Sequence, residues 1–319
     1  MPNKNMFRIP SVFYHGKSYN LVTFGVFAAL ASMAGYYIAF FYLYCNGVQI
    51  GNYAWIIILF FVLPNLIFAK IFSIFSMGLK KFYKNLRHHL NETSFYHQGG
   101  VFGFILSTVC LFYILRIPFF LLSDAICFGG LATMFIGRLG CYNYGCCVGK
   151  PTQQKYGTVY SDPEAKICRE VPEFYGIPLI PVQLIASGID LLLFCLCFIV
   201  IFNYPYSGII TIIFIVGLNL KRIIIQPWRW KDPSNKISYQ WAAVTLILTF
   251  VFIVFFLYIS GEMLFVKEKL KISQNSVNNL TYILTDPKLI LPILTGGIIN
   301  FIAYGIHGRK LGTYFNIDP

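Results

Sequence analysis

Long apolar runs constrain this sequence more than any other feature. A helix needs about 20 consecutive apolar residues to cross the hydrocarbon core of a bilayer. Seven runs reach or approach that length, and each predicts a transmembrane helix. They comprise residues 20–45, 53–78, 99–115, 119–137, 181–203, 206–228 and 239–260. The sequence therefore predicts an all-α integral membrane protein, built as a bundle of seven transmembrane helices.

The composition agrees with lipid as the surrounding medium. Only 12% of the residues are charged, whereas soluble domains carry about 25%. A net charge of +13 is also found among proteins that bind nucleic acid. Membrane proteins, however, keep basic residues in short loops, where anionic headgroups attract them. We therefore expect a membrane as the partner, and no nucleic acid.

The chain changes character after residue 262, where a polar and charged stretch begins. An apolar run at about 289–306 follows, and it is interrupted by a proline and two adjacent glycines. This run is either an eighth span or a helix lying on the membrane, and we favour a span. We divide the chain into a transmembrane domain, residues 1–262, and a C-terminal extension, residues 263–319.

The longest polar connection lies between the fourth and fifth spans, at residues 142–180. Loops longer than about 12–15 residues are uncommon unless they are functional or carry their own structure. This connection therefore predicts a small head domain on one face of the membrane. Basic residues are spread over several connections, so the excess of basic residues in cytoplasmic loops does not orient the chain.

The motif Gly137-Arg138-Leu139-Gly140 stands at the end of the fourth span. A guanidinium at membrane depth is costly and usually marks a transport pathway or an anionic ligand. Its fork of donors matches a phosphate group. The alternative is an arginine that buries its stem and extends its head to the lipid headgroups. The neighbouring glycines favour a ligand, because glycine lets a ligand approach the backbone.

A second basic cluster, Lys221-Arg222, stands near the end of the sixth span. Arg222 and Gln226 are four residues apart and therefore share a helix face. A basic span end is also a common anchor at the membrane interface. If Arg222 meets Arg138 across the bundle, the two guanidinium groups form a phosphate clamp.

Two further motifs stand at the beginnings of spans. His97-Gln98-Gly99-Gly100 precedes the third span, and histidine is the side chain whose ordinary pKa suits proton transfer near neutrality. A lone histidine at the interface is equally compatible with a solvated residue. Gln183, at the start of the fifth span, either contacts a ligand or belongs to the first turn of a helix that a proline opens.

Three of the nine cysteines, Cys141, Cys146 and Cys147, follow the Arg138 motif. Zinc ligands usually come as cysteine pairs two to four residues apart, with two more ligands elsewhere. Adjacent cysteines match that pattern poorly, so we expect no metal here. The alternatives are a packing role or a disulfide, including one to Cys168 if the head faces an oxidising compartment.

Taken together, these motifs resemble those of the prolipoprotein diacylglyceryl transferases. The family signature is matched by Gly137-Arg138-Leu139-Gly140 and by a polar stretch that ends at Gly149. The other matches, in the same order along the chain, are Gly99-Gly100, Ser123-Asp124, Pro181-x-Gln183-Leu184 and Arg222-Ile223-Ile224. The resemblance extends from about residue 20 to residue 260 and leaves out the C-terminal extension.

The resemblance implies a seven-helix bundle with a head domain and a central lipid-filled cavity, in the bacterial cytoplasmic (inner) membrane. It implies transfer of a diacylglyceryl group from phosphatidylglycerol to the thiol of the lipobox cysteine of prolipoproteins, without a cofactor. The catalytic residues that it implies are Arg138, Arg222 and His97. The substrate-binding residues that it implies are Gln98, Gly99, Gly100, Gly137, Gly140, Cys141, Asn143, Gly149, Gln183 and Gln226.

Several positions depart from the family pattern. Cys141 and Cys146 stand where the family has an asparagine and an acidic residue, and Phe24 stands where it has a tyrosine. Gln98 occupies the slot of the family histidine, and Gln226 that of a glutamate. These changes indicate a divergent branch. Two alternatives therefore stay open: a transferase of the same fold with another acceptor, and a non-catalytic lipid-binding membrane protein or transporter.

Overall fold

The computed structural model describes residues 9–17, 19–77, 97–203, 207–230 and 276–308. The helices in this part of the chain are α1 Thr23–Cys45, α2 Ala54–Met77, α3 His97–Leu115, α4 Phe119–Tyr144, α5 Lys166–Glu170, α6 Val182–Asn203, α7 Ile209–Ile225, α8 Ser276–Thr285 and α9 Pro287–Gly305. The strands are β1 Val12–His15, β2 Tyr19–Val22, β3 Thr158–Val159, β4 Pro178–Leu179 and β5 Ile306–Gly308. Single 3-10 turns lie at Pro172–Phe174 and Gln226–Trp228.

Six of the described helices are long and apolar enough to cross a membrane. Five of them, α1, α2, α4, α6 and α7, correspond to predicted spans, and α9 corresponds to the run for which a span was favoured. The apolar part of α3 is shorter, Phe102–Leu115. The prediction of an all-α membrane protein is confirmed. The count of seven spans stays a prediction, because the seventh run, 239–260, lies outside the described residues.

Helix α1 packs against both α4 and α9 and approaches each of them at glycines. A Cβ on Gly129 of α4 would lie 2.2 Å from the carbonyl oxygen of Gly35 in α1. A Cβ on Gly25 of α1 would lie 2.2 Å from the Cα of Gly305 in α9. Small residues at such crossings let helix backbones pack closely in lipid. The C-terminal extension therefore contributes a helix to the bundle itself.

A buried carboxylate fixes the start of α7 against α4. Asp124 is fully buried and accepts hydrogen bonds from the backbone amides of Gly208 (2.6 Å) and Thr211 (2.8 Å). The Thr211 hydroxyl donates to it at 2.6 Å, and the Tyr42 hydroxyl of α1 donates at 3.4 Å. The first amides of a helix have no partner within the helix, and a negative charge beside them is favourable. Asp124 thereby joins three helices.

The connection between α4 and α6 is folded, at the position of the predicted head. Strands β3 and β4 pair antiparallel, and the Lys150 amide donates to the Trp228 carbonyl beyond α7 at 2.9 Å. Cys168 is buried here and its thiol donates to the Tyr160 carbonyl at 3.6 Å. All nine cysteines are free thiols, so the bridge considered for Cys168 is not formed. The buried cluster of this segment comprises Val148, Tyr160, Ala165, Ile167, Cys168, Val171, Phe174 and Leu179. Its status as a separate domain stays a prediction.

A three-stranded antiparallel sheet of β1, β2 and β5 adjoins the folded connection. Asn20 of β2 pairs with His307 of β5, so the chain after α9 returns to the beginning of α1. The Ser11 amide donates to the Asp162 carboxylate of the connection at 3.1 Å. One end of the bundle, which we call the head face, therefore carries the sheet, the folded connection and the C-terminal ends of α4, α7 and α9.

His307 is a buried histidine of the head face. The residue is 7% exposed, and its ring centroid lies 5.9 Å from that of Tyr144. Burial lowers the pKa of His307 to about 4, and the charges of Arg169 and Lys166 add to this effect, against a hydrogen bond with the Tyr304 carbonyl. A histidine with a lowered pKa stabilises the fold above its ordinary pKa of about 6.5 and loses that contribution as the pH falls to about 4.

Between neutral pH and about pH 4, we expect the contribution of His307 to the free energy of unfolding to fall by up to about 3 kcal/mol, since each pKa unit corresponds to about 1.4 kcal/mol. His307→Gln should abolish this part of the pH dependence. His15→Gln, at an exposed histidine of the same sheet, should leave it in place. The measurement is the thermal midpoint of the detergent-solubilised protein across this pH range. Equal losses in wild type and His307→Gln would contradict the role given to His307.

Candidate functional site

The chain turns back sharply onto the end of α4. The helix ends at Gly145, whose φ of 77° is left-handed. The amides of Gly145 and Cys146 both donate to the Cys141 carbonyl, at 3.0 and 3.1 Å. Cys147 is left-handed as well, with a φ of 56°. A left-handed glycine is a common helix ending, and here the turn carries Cys146 and Cys147 back towards Cys141.

Three thiols meet at this turn. The sulfur atoms of Cys141, Cys146 and Cys147 all lie within 4.8 Å of one another, and the three residues are half-buried. Gln183 of α6 fixes the turn, because its side-chain amide donates to the Cys146 carbonyl at 2.8 Å and to the Tyr160 hydroxyl at 3.3 Å. Gln183, predicted as a substrate contact, therefore holds the backbone beside the thiols.

Positive charge surrounds the three thiols. Arg138 lies one turn before Cys141 on α4 and interacts electrostatically with all three cysteines. Arg229, which follows the 3-10 turn after α7, acts on Cys147. Hydrogen bonds with Cys141 and Cys146, and then the charges of Arg229 and Arg138, lower the pKa of the Cys147 thiol well below its ordinary value. Of the three thiols, Cys147 is therefore the one whose ionised form is favoured.

A buried ion pair adjoins Arg138. Lys221 of α7 and Asp190 of α6 form a close salt bridge, and both side chains are almost fully buried. Asp190 also interacts with Arg138. Its second carboxylate oxygen, Oδ2, has no hydrogen-bond partner within the described part of the chain. Neither residue was predicted as a site residue, although an acidic residue inside an apolar run is by default a functional candidate.

The glycines predicted to bind substrate have different surroundings. A Cβ on Gly137 would meet no atom within 4 Å, so this position is open. A Cβ on Gly140 would lie 2.7 Å from the Cβ of Phe27 in α1. A Cβ on Gly149 would lie 2.4 Å from the Ile180 carbonyl oxygen. Gly140 and Gly149 are thus required by close packing, whereas Gly137 leaves room for a ligand.

The structure also describes the surroundings of Asn143 and Arg222. Asn143 is buried, and its Oδ1 accepts from the Ile9 amide at 3.1 Å, so it ties the N-terminal segment to α4. Arg222 is half-buried on the last turn of α7. Lys221 interacts electrostatically with both Arg138 and Arg222. The two predicted catalytic arginines therefore lie near the same lysine.

The remaining predicted residues are only partly described. Gln226 is buried in the 3-10 turn after α7. His97, Gln98 and Gly99 lie in the first turn of α3, but their side chains lie outside the described part of the chain. A Cβ on Gly100 would make only an ordinary contact, at 3.8 Å. The roles given to these residues stay predictions.

Comparison with known families decides which group of proteins this arrangement belongs to. The family model described as "Prolipoprotein diacylglyceryl transferase" matches residues 10–259, which is most of the chain. The chain belongs to this family. No curated protein matches it. The resemblance carried by the motifs is therefore confirmed, and this member of the family carries α9 and β5 beyond the matched residues.

The buried ion pair of Asp190 and Lys221 predicts a strong coupling between the two side chains. Asp190→Asn leaves the Lys221 cation buried without its partner, and Lys221→Met leaves the anion alone. Each single change should lower the free energy of unfolding by about 3–5 kcal/mol. The double variant buries neither charge, so it should be more stable than either single variant. The measurement is the thermal midpoint of all four proteins in one detergent. If the loss of stability in the double variant equalled the sum of the two single losses, the pairing of Asp190 with Lys221 would be contradicted.

Proposed function

We propose that this transferase moves a diacylglyceryl group from phosphatidylglycerol to the thiol of the lipobox cysteine of prolipoproteins. The observation that carries the proposal is the position of Arg138, half-buried near the end of a membrane-spanning helix and beside Lys221. Cations at that depth suit the phosphate of a lipid whose tails remain in the hydrocarbon core. Family membership supports the reaction class.

The chemistry is a displacement at the glycerol carbon of the lipid. The thiolate sulfur attacks that carbon and forms a thioether, while the bond from carbon to the phosphate oxygen breaks. The leaving group is glycerol phosphate, a monoester that departs with the electron pair of the broken bond and so gains negative charge. Fixed cations aimed at this charge stabilise the transition state. We give this role to Arg138 and Arg222, with Gly137 leaving space for the lipid.

A base must take the proton of the lipobox thiol, since a thiol with a pKa of about 8.5 is mostly protonated at neutral pH. We propose His97, the histidine nearest to the family motif, for this role. His97→Gln should remove the acidic limb from the pH–rate profile and lower the rate about 100-fold or more. His15→Gln is the control. An unchanged profile and rate in His97→Gln would remove this residue from the mechanism.

We place the transferase in the bacterial inner membrane, with the head face outward. Secreted precursors reach that side, and the sheet, Arg229 and the folded connection lie there. Basic residues are usually in excess in cytoplasmic loops, so the basic residues of an outward head face are contrary to that rule. Attraction to anionic phosphatidylglycerol accounts for their presence.

A transferase with a different acceptor is the second candidate, and the three thiols favour it. They include Cys141 and Cys146, which stand in place of an asparagine and an acidic residue of the family pattern. The phospholipid donor and the bond broken would be unchanged. Only the group that attacks the glycerol carbon would differ. A non-catalytic lipid-binding protein is the third candidate.

The deciding experiment has two arms. The gene is expressed in cells depleted of their own lipoprotein transferase, and the purified protein is incubated with phosphatidylglycerol and a lipobox peptide. Growth together with a peptide heavier by one diacylglyceryl group would support the proposal. Release of glycerol phosphate without modified peptide would favour another acceptor. Phospholipid bound to the purified protein without any turnover would favour a non-catalytic lipid-binding protein.

A further inference from the structure

We propose that Cys141, Cys146 and Cys147 form a three-thiolate site for Zn²⁺, with a fourth coordination position left for an incoming thiol. The metal site stands on the geometry of the three cysteines. The identity of the fourth ligand rests on the proposed function. This proposal differs from the expectation drawn from the sequence, because the spacing of adjacent cysteines does not reveal how the chain turns at Gly145.

The distances between the sulfur atoms suit a single ion. Zn–S bonds of about 2.3 Å in a tetrahedral site place the sulfurs about 3.8 Å apart. The three sulfur atoms already lie within 4.8 Å of one another. Small rotations of the cysteine side chains close the remaining gap. Three protein ligands with one open position is the pattern of catalytic zinc sites, whereas structural sites have four.

The backbone holds the thiols in this arrangement before any ion arrives. Cys147 adopts a left-handed φ of 56°, which costs a residue other than glycine about 1–3 kcal/mol and persists only where the surroundings impose it. The peptide group just before Cys147 is held by Gln183, whose side-chain amide donates to the Cys146 carbonyl at 2.8 Å. Such strain is concentrated at functional sites.

A disulfide explains the cluster less well. Neighbouring residues such as Cys146 and Cys147 have Cα atoms about 3.8 Å apart, below the usual range for a disulfide of about 4.4–6.8 Å. A bridge from Cys141 to either of them would leave one thiol over. Zn²⁺ engages all three sulfurs at once. The resulting net negative charge is balanced by Arg138 and Arg229, which both act on Cys147.

The fourth position suits the acceptor cysteine of the proposed reaction. A thiol that binds Zn²⁺ gives up its proton to a base, the role that the proposed function gives to His97, and its sulfur keeps the electron pair that then attacks the glycerol carbon. Arg138, which we aim at the phosphate of the lipid, interacts with all three cysteines. The metal would therefore hold the nucleophile beside the cation that receives the leaving group. The soft thiolates of the site select zinc over the hard ions Mg²⁺ and Ca²⁺.

The metal site is tested on the whole protein, purified in detergent and dialysed against metal-free buffer after growth with zinc. Elemental analysis should find about one zinc ion per chain. Single variants Cys141→Ser, Cys146→Ser and Cys147→Ser should each reduce bound zinc at least tenfold. Cys195→Ser, at an exposed cysteine of α6, is the matched control and should leave it unchanged. Zinc-free protein with three reactive thiols, or with a disulfide found by mass spectrometry, would overturn the site.

The fourth ligand is tested separately, by spectroscopy. Co²⁺ put in place of zinc should show sulfur-to-metal charge-transfer absorption, and a lipobox peptide should intensify it, whereas the same peptide with serine for cysteine should not. An unchanged spectrum would overturn the role of the fourth position. These readouts do not depend on turnover. Bound zinc in a protein that transfers nothing would contradict the proposed function alone, and transfer at full rate by metal-free protein would contradict the role of the fourth position alone.

Discussion

Arg138→Ala should reduce diacylglyceryl transfer about 1,000-fold, to background, while the protein remains folded. The reason is that the departing phosphate gains charge in the transition state, and a fixed cation that stabilises such charge is worth about 100- to 1,000-fold in rate. Arg138→Lys should also be poor, because an ammonium group lacks the two-pronged geometry that matches phosphate. The measurement is the initial rate with phosphatidylglycerol and a lipobox peptide.

Two comparisons make this result specific. Arg222→Ala should give a loss of similar size if the two arginines act on one phosphate. Lys155→Ala, at an exposed lysine of the folded connection, should leave the rate unchanged. Thermal midpoints of the variants separate lost chemistry from lost folding. Arg138→Ala with most of the wild-type rate, or guanidinium groups of Arg138 and Arg222 on opposite outer faces of the bundle, would contradict the phosphate clamp.

Asp124→Ala should be among the most destabilising single changes in the bundle. It leaves the buried backbone amides of Gly208 and Thr211 without their acceptor, whereas the Thr211 hydroxyl keeps the Ser123 hydroxyl as a partner at 2.9 Å. Each buried donor left without a partner costs about 1–3 kcal/mol, so the two amides together should lower the free energy of unfolding by about 2–6 kcal/mol. The measurement is the thermal midpoint together with the yield of monodisperse protein in detergent.

Thr211→Val is the matched control for Asp124→Ala. It removes one hydroxyl and keeps both backbone amides bonded to the carboxylate, so it should cost only about 1 kcal/mol. Asp124→Asn should fall between the two, because an asparagine retains one acceptor oxygen. If Asp124→Ala and Thr211→Val had equal effects, the carboxylate would not be what holds the start of α7.

The sequence by itself determined the membrane class and five of the membrane-length helices. Whether a segment can cross a bilayer depends on its own length and apolarity, because the hydrocarbon core offers no hydrogen bonds to any other kind of backbone. The order of short motifs also identified the family, and the family match confirms it. Arg138 was found for the same local reason, since a guanidinium near the end of an apolar run is costly wherever the rest of the chain lies.

Only the tertiary structure decided which side chains meet. The salt bridge between Asp190 and Lys221 joins two helices, and neither apolar run indicates the face on which its charged residue lies. The cysteine group depends on a left-handed turn at Gly145 and on Gln183, which reaches it from α6. The pairing of β2 with β5 joins the segment before α1 to the segment after α9. The salt bridge, the contact of Gln183 and the strand pairing are set by the packing of segments far apart in sequence, and local patterns carry no information about them.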